Sequence, residues 1–178
     1  MCSTVGSSGV VPSGTEPDIS EIIRIHRLTG TPVLVPVSPC QNYQREQCHI
    51  SAKHAELTNR GRRVHGWAFW TFNQGTEDEI TLAYYHSVLE DNDGVMIDVT
   101  PTTWPANHVL FINDSNATIK HVGNDLVFPA TITPLPGAPF LDIKGTFCNY
   151  STWTKSINSN DITSYCLTLA IDPRQIAT

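Results

Sequence analysis

Residues 84–101, YYHSVLEDNDGVMIDVTP, have the pattern of two short strands joined by a turn. Residues 84–90 alternate and are rich in β-formers. Asp91-Asn92-Asp93-Gly94 is turn chemistry, with Gly94 free to take a positive φ. Residues 95–100 alternate again and stop at Pro101. His86 falls on the first strand and Asp98 on the second. Their relation follows from the loop length, because opposed residues of an antiparallel pair share a face and alternation extends this along each strand. A three-residue loop, 92–94, sets His86 opposite Thr100 and makes Asp98 its same-face diagonal neighbour. A five-residue loop, 90–94, sets Asp98 directly across from His86. Loops of two or four residues put the two on opposite faces. A glycine closing the turn suits the three-residue loop with a G1 bulge. A carboxylate beside an imidazole fixes the ring's tautomer and steadies the imidazolium that forms when it takes a proton.

Upstream, VHGWAFWTF (64–72) is the strongest strand in the chain, and the turn 73–76 leads to a strand over 79–90. An antiparallel meander follows. Residues 46–60, EQCHISAKHAELTNR, have helical composition and stop at Gly61 with Arg60, Arg62 and Arg63 nearby. Cys48 lies in the first turn of this helix. Residues 31–37 read as a strand broken by Pro32 and Pro36, and thus an edge or an extended connector, and 38–43 as a polar loop. A short helix is expected over 19–29, capped by Asp18 or Ser20 and ended by Gly30. Residues 1–18 read as a flexible arm, or one ordered only by packing. Downstream, strands are expected at 108–112, 118–122, 126–133, 140–148 and 163–171. The expectation is one α+β domain over 19–178 with an irregular, β-rich C-terminal half.

The 178 residues suffice for one domain with a sizeable core, and the net charge is −6. That balance argues against broad nucleic-acid binding, which needs Lys and Arg to neutralise phosphates. It points faintly to a neutral or basic substrate. The sequence has no apolar run long enough for a transmembrane helix, and its first residues lack the basic and apolar regions of a signal peptide. Five cysteines at irregular spacing do not resemble a disulfide framework. A cytoplasmic location is expected, with no membrane partner.

Cys48, His86 and Asp98 supply the parts of a thiol nucleophile. Only the thiolate attacks, and a helix N-terminus and a neighbouring imidazolium both favour it. The first amides of the helix can stabilise an oxyanion. Asn42, Gln41 and Gln47 are side-chain candidates to assist. Cys40 and Cys2 are competing nucleophiles. His49, His54 and His65 with Cys40 and Cys48 form the alternative of a zinc site, but no metal-ligand spacing supports it. Trp67, Phe69, Trp70 and Phe72 read as core and wall aromatics. Trp67 and Trp70 lie on opposite faces of their strand, so only one is expected in a core and the other can line a substrate groove. Tyr84 shares a strand face with His86 and can border the site.

A cysteine at a helix start, followed by a β-meander bearing His and Asp in HSV…DG…IDVTP, resembles the core of the papain-like and transglutaminase-like superfamily over roughly residues 40–101. The resemblance implies that Cys48 is the nucleophile, His86 the base and Asp98 the orienting carboxylate. It implies a cofactor-free, metal-free enzyme acting through a thioester on an amide of a protein, peptide or small molecule. Water as acceptor makes a protease or deamidase; an amine makes an acyltransferase. The alternative from another class is a non-catalytic binding module on the same fold.

Overall fold

The computed structural model describes residues 8–58, 60–122, 125–129, 131–134, 140–141, 147–148, 154–157 and 159–177. Three helices, α1 (Pro17–His26), α2 (Cys48–Leu57) and α3 (Ser159–Thr168), pack around antiparallel β-structure. The main sheet runs in the order β1 (Val33–Pro36), β5 (His108–Asn113), β2 (Arg62–Phe72), β3 (Ile80–Glu90), β4 (Met96–Ile97). β8 (Thr131–Ile132) pairs with β3 off this path, while β6 (Lys120–Val122), β7 (Asp125–Pro129) and β11 (Thr154–Ile157) form a second sheet. β9 (Phe140–Leu141) and β10 (Phe147–Cys148) pair with each other. The fold is therefore α+β.

The two long strands set the architecture. β2 and β3 pair along their whole length, from Arg62 against Glu90 to Phe72 against Ile80. Alternation then sends Trp67 and Phe69 of β2, with Ala83, Tyr85 and Leu89 of β3, to one face. Val64, Trp70 and Phe72, with Leu82 and Val88, go to the other. Both faces are covered. The first packs on the helices, through Ile19 and Ile22 of α1, Ile50 and Ala55 of α2, and Ile162, Tyr165 and Cys166 of α3. The second closes on itself, because the ends of the sheet meet. The Asp98 N–H donates to Pro36 O, Ser38 N–H donates to Asp98 O, and Val37 bridges Asp98 in parallel. Inside this curl lie Val35, Val109 and Phe111 with the inward residues of β2 and β3. Each fully buried aliphatic or aromatic side chain of these cores contributes roughly 1.5–3 kcal/mol.

This double cover corrects one expectation. Trp67 and Trp70 do lie on opposite faces, yet both are core, at 4% and 5% exposure. Gly66 between them permits the close approach of β5: a Cβ there would stand 2.0 Å from Ile112 O. The first helix begins and ends earlier than expected. Asp18 does not cap it but accepts the Thr81 N–H across the interface, and Arg27, at φ 54°, closes the helix before Gly30. The expected strand 163–171 is a correction too. Ser159–Thr168 is helical, and Ile162, Tyr165, Cys166 and Leu169 are buried at the spacing of one helical face. The expected strand 126–133 is split into β7 and β8. The described part of the N-terminal arm is ordered by packing: Val10 bridges Thr71, and Pro12 is buried. Residues 1–7, Cys2 among them, lie outside the described residues.

Candidate active site

The turn after β3 is the three-residue loop. Asp91 N–H donates to Val95 O, Leu89 pairs with Ile97 and Glu90 with Met96. Gly94 takes φ 79°, and the Asp91 carboxylate accepts the Asp93 and Val95 N–H groups inside the turn. The register places Asp98 diagonal to His86 on one face, and the two side chains meet: His86 Nε2 lies 2.8 Å from Asp98 Oδ2. Asp98 is fully buried, and its other oxygen, Oδ1, accepts the Thr100 N–H at 3.0 Å. Capping Thr100 and pairing with His86 are thus carried by different oxygens of one carboxylate. Because Asp98 occupies Nε2, Nδ1 is the nitrogen His86 can offer to another group.

α2 begins at Cys48 itself. Ile50 and Ser51 N–H both donate to Gln47 O, whereas the Cys48 and His49 amides have no carbonyl partner among the described residues. They are the free donors of the helix start. Small residues Ser51, Ala52 and Ala55 let the helix lie close to β2 and β3, and all are buried. Its N-terminal end is held by the C-terminal half of the chain: the Tyr165 hydroxyl accepts the Gln44 N–H at 3.0 Å and bonds Ser51 Oγ at 3.0 Å. On the edge of β3 away from β2, β8 pairs at residues 83–84 and β4 at 89–90. Between them, residues 85–88 have no strand partner on that edge among the described residues. The start of α2 meets β3 in this stretch, with Cys48 interacting with His86 and His49 with Ser87.

The electrostatics follow. Burial pushes the Cys48 thiol up, but the charge and hydrogen bonding of His49 and then His86 outweigh it and hold the thiol well below its ordinary value. Burial pulls His86 down, and the negative charges of Asp98 and Cys48 with their hydrogen bonds overcome it, holding the ring well above the ordinary imidazole value. Each shift favours the charged form. Together the shifts favour a thiolate beside an imidazolium, with the buried Asp98 side chain behind the ring.

The other predicted residues divide. Gln47 is the half-buried residue before the helix, and its side chain makes no capping hydrogen bond. Gln41 and Asn42 are exposed and make no side-chain hydrogen bond among the described residues. Trp67 is core and donates its indole N–H to Asp114 Oδ2 at 2.9 Å. Tyr84 is half-buried on the His86 face, beside Trp104 and Phe72. Cys40 is half-buried, with Arg60 Nη1 2.7 Å from its sulfur.

His49 is the residue whose part at the thiol the sequence reading missed. It is buried, and its Nδ1 lies 2.6 Å from Ser87 Oγ. Its position next to Cys48 was the one available signal. The histidines of the expected zinc alternative are otherwise engaged: His65 Nδ1 bonds Ser87 Oγ and His54 Nδ1 bonds the Tyr43 hydroxyl. Among the described residues, no three His, Cys, Asp or Glu side chains are placed to hold a metal ion. No helix among them is long and apolar enough to cross a membrane. No family model, curated protein or solved structure matches the chain.

Proposed function

We propose that the protein is a cysteine-dependent enzyme of the papain-like or transglutaminase-like type, acting on an amide through a thioester. The observation that carries the reading is the Asp98–His86 pair, 2.8 Å apart, next to a thiol at the first residue of a helix. The Cys48 thiolate attacks the carbonyl carbon, forming the C–S bond and moving the carbonyl electron pair onto oxygen. The free amides of Cys48 and His49 are the donors nearest in the chain to that oxyanion. His86 gives its proton to the departing nitrogen as the C–N bond breaks, leaving a thioester and a neutral ring. Asp98 keeps the proton on Nε2 throughout, so that Nδ1 exchanges protons with the reacting groups. Water or an amine then attacks the thioester, His86 Nδ1 takes its proton, and the C–S bond breaks to return the thiolate. A backbone amide or a Gln or Asn side chain fits this chemistry equally.

Iodoacetamide alkylation read by peptide mass spectrometry tests the reading without knowledge of the substrate. Cys48 should be modified ahead of Cys40 and Cys166 at about pH 6, where an ordinary thiol is almost wholly protonated. His86→Ala should remove most of that selectivity. Slow, equal labelling of all accessible thiols in the unaltered protein would refute the nucleophile and leave a binding module as the better account.

A further inference from the structure

Behind Cys48, on the side away from Asp98, lies a buried polar chain that the mechanism above does not use. Ser87 Oγ sits between two imidazoles, 2.6 Å from His49 Nδ1 and 2.8 Å from His65 Nδ1. Ser87 is fully buried, and His49 is 6% exposed. The rings are fixed by packing as well. His49 lies against Phe128 at 4.6 Å and Tyr85 at 5.0 Å between centroids, and His65 stacks on Tyr85 at 5.7 Å.

The proton count in this chain is constrained. The hydroxyl has one proton, and the two ring nitrogens are its hydrogen-bond partners among the described residues. It therefore donates to one ring and accepts an N–H from the other. His65 is neutral: burial, then Arg63, His49 and Lys53, push it down to about 3. It offers Nδ1 either as donor or as acceptor. With Nδ1 of His49 occupied by Ser87, Nε2 is the nitrogen left to interact with the thiol.

A thiolate only accepts hydrogen bonds, so the His49 nitrogen that faces it must carry a proton. A neutral ring with its proton on Nε2 and a charged ring both satisfy this. The groups facing His49 from β2 and β3 hold the ring in place. They are Arg63, whose guanidinium donates to His49 O, with His65, Ser87 and Tyr85. From β7, Phe128 packs against it. In both protonation states of the ring, Ser87 links His49 Nδ1 to His65 Nδ1 and the remaining His49 Nε2–H is the donor left for the sulfur.

We propose that His49 is a second catalytic imidazole, an N–H donor to the Cys48 thiolate through Nε2, and that Ser87 and His65 are positioning residues that fix its ring. This rests on Cys48 being the nucleophile. The two rings then divide the work. His86, backed by Asp98, carries protons to and from the reacting groups. His49, backed by Ser87, exchanges none and holds the sulfur anionic in whichever state His86 is.

The test is the pH profile of Cys48 alkylation by iodoacetamide in the full chain. His49→Ala should slow Cys48 at about pH 6 by about ten-fold, the effect of raising its pKa by about one. His49→Gln, whose side-chain amide can place an N–H near the former Nε2, should recover most of the rate. His86→Ala should keep a residual thiolate, and His49→Ala/His86→Ala should label like an unfolded peptide. A wild-type profile in His49→Ala, or a double variant no slower than His86→Ala, overturns the proposal. Slowing in His86→Ala with none in His49→Ala overturns this inference alone. No slowing in His86→Ala overturns the nucleophile and this inference with it. Should His49→Ala fail to fold, Ser87→Ala carries the test. It removes one oxygen and releases the ring, so an intermediate loss is expected, and a wild-type rate refutes the positioning role.

Discussion

Asp98 holds two acceptors in fixed directions, one toward the Thr100 N–H and one toward His86 Nε2. Asparagine at this position is a sharper probe than alanine. Its carbonyl oxygen can keep the Thr100 bond, which turns its NH2 toward the ring. Two donors then face each other unless His86 moves its proton to Nδ1, the nitrogen that must receive the thiol proton. The negative charge that helps raise His86 is lost as well. Asp98→Asn should therefore slow Cys48 alkylation at about pH 6 by ten-fold or more, since an opposite charge this close moves a pKa by roughly 1–3. An unchanged rate would mean that the carboxylate is only a backbone clamp. This pair was legible in the sequence because its geometry is a local count: turn length and alternation decide it within fifteen residues. The His49–Ser87–His65 chain was not. It needs the pairing of His65 with Ser87 across β2 and β3, and the seating of α2 on that same face. Neither follows from spacing along the chain.

Elements place these residues through two glycines that act for different reasons. At Gly94, φ is 79° and nothing lies within 4 Å of where a Cβ would be, so alanine costs backbone strain alone. Gly94→Ala should lower stability by about 1–2 kcal/mol. It should leave Cys48 alkylation intact, because the burial of both faces of β3 holds the register. At Gly66 the conformation is ordinary and the space is missing: a Cβ would meet Ile112 O at 2.0 Å and the Phe111 ring at 2.6 Å. Gly66→Ala must push β5 from β2 and should cost at least the 1–3 kcal/mol typical of overpacking. Urea midpoints for the two variants check the order, and a Gly94 variant less stable than the Gly66 variant would contradict it. The β2–β3 pair was readable from alternation, and α2 from its helical composition and the stop at Gly61, although the helix starts at Cys48 rather than at residue 46. α3 was not, because TSYCLTLAI is rich in β-formers and its helical period emerges only with Ile162 included.

Across the whole molecule, the curl of the sheet is what the sequence hid most. Alternation showed two faces on β2, but only the meeting of β1 with the chain at Asp98 shows that both are interior. The charged pair sits at that closure, so its ionisation is linked to global stability. An unfolded chain has an ordinary histidine near about 6.5 and an ordinary thiol near about 8.5. Folding lowers Cys48, whose contribution is complete above the unfolded thiol value and is lost as pH falls. Folding raises His86, whose contribution is complete below the unfolded imidazole value and is lost as pH rises. Between about 6.5 and about 8.5 the two slopes cancel, and stability should be level. Below that window the Cys48 loss is no longer offset. His65, held neutral down to about 3, adds a loss of the same sign as the unfolded chain takes up its proton. Above the window His86 declines. Cys166, whose thiol burial raises to about 11, declines with it, because the unfolded thiol ionises first. Between about 8.5 and about 10, below the range where unfolded tyrosines ionise, stability should therefore fall by the equivalent of two protons, about 1.4 kcal/mol per pH unit for each. In His86→Gln it should fall by one. Urea unfolding at a series of pH values reads both slopes, and equal alkaline slopes in the two proteins would show that His86 is not raised by its partners.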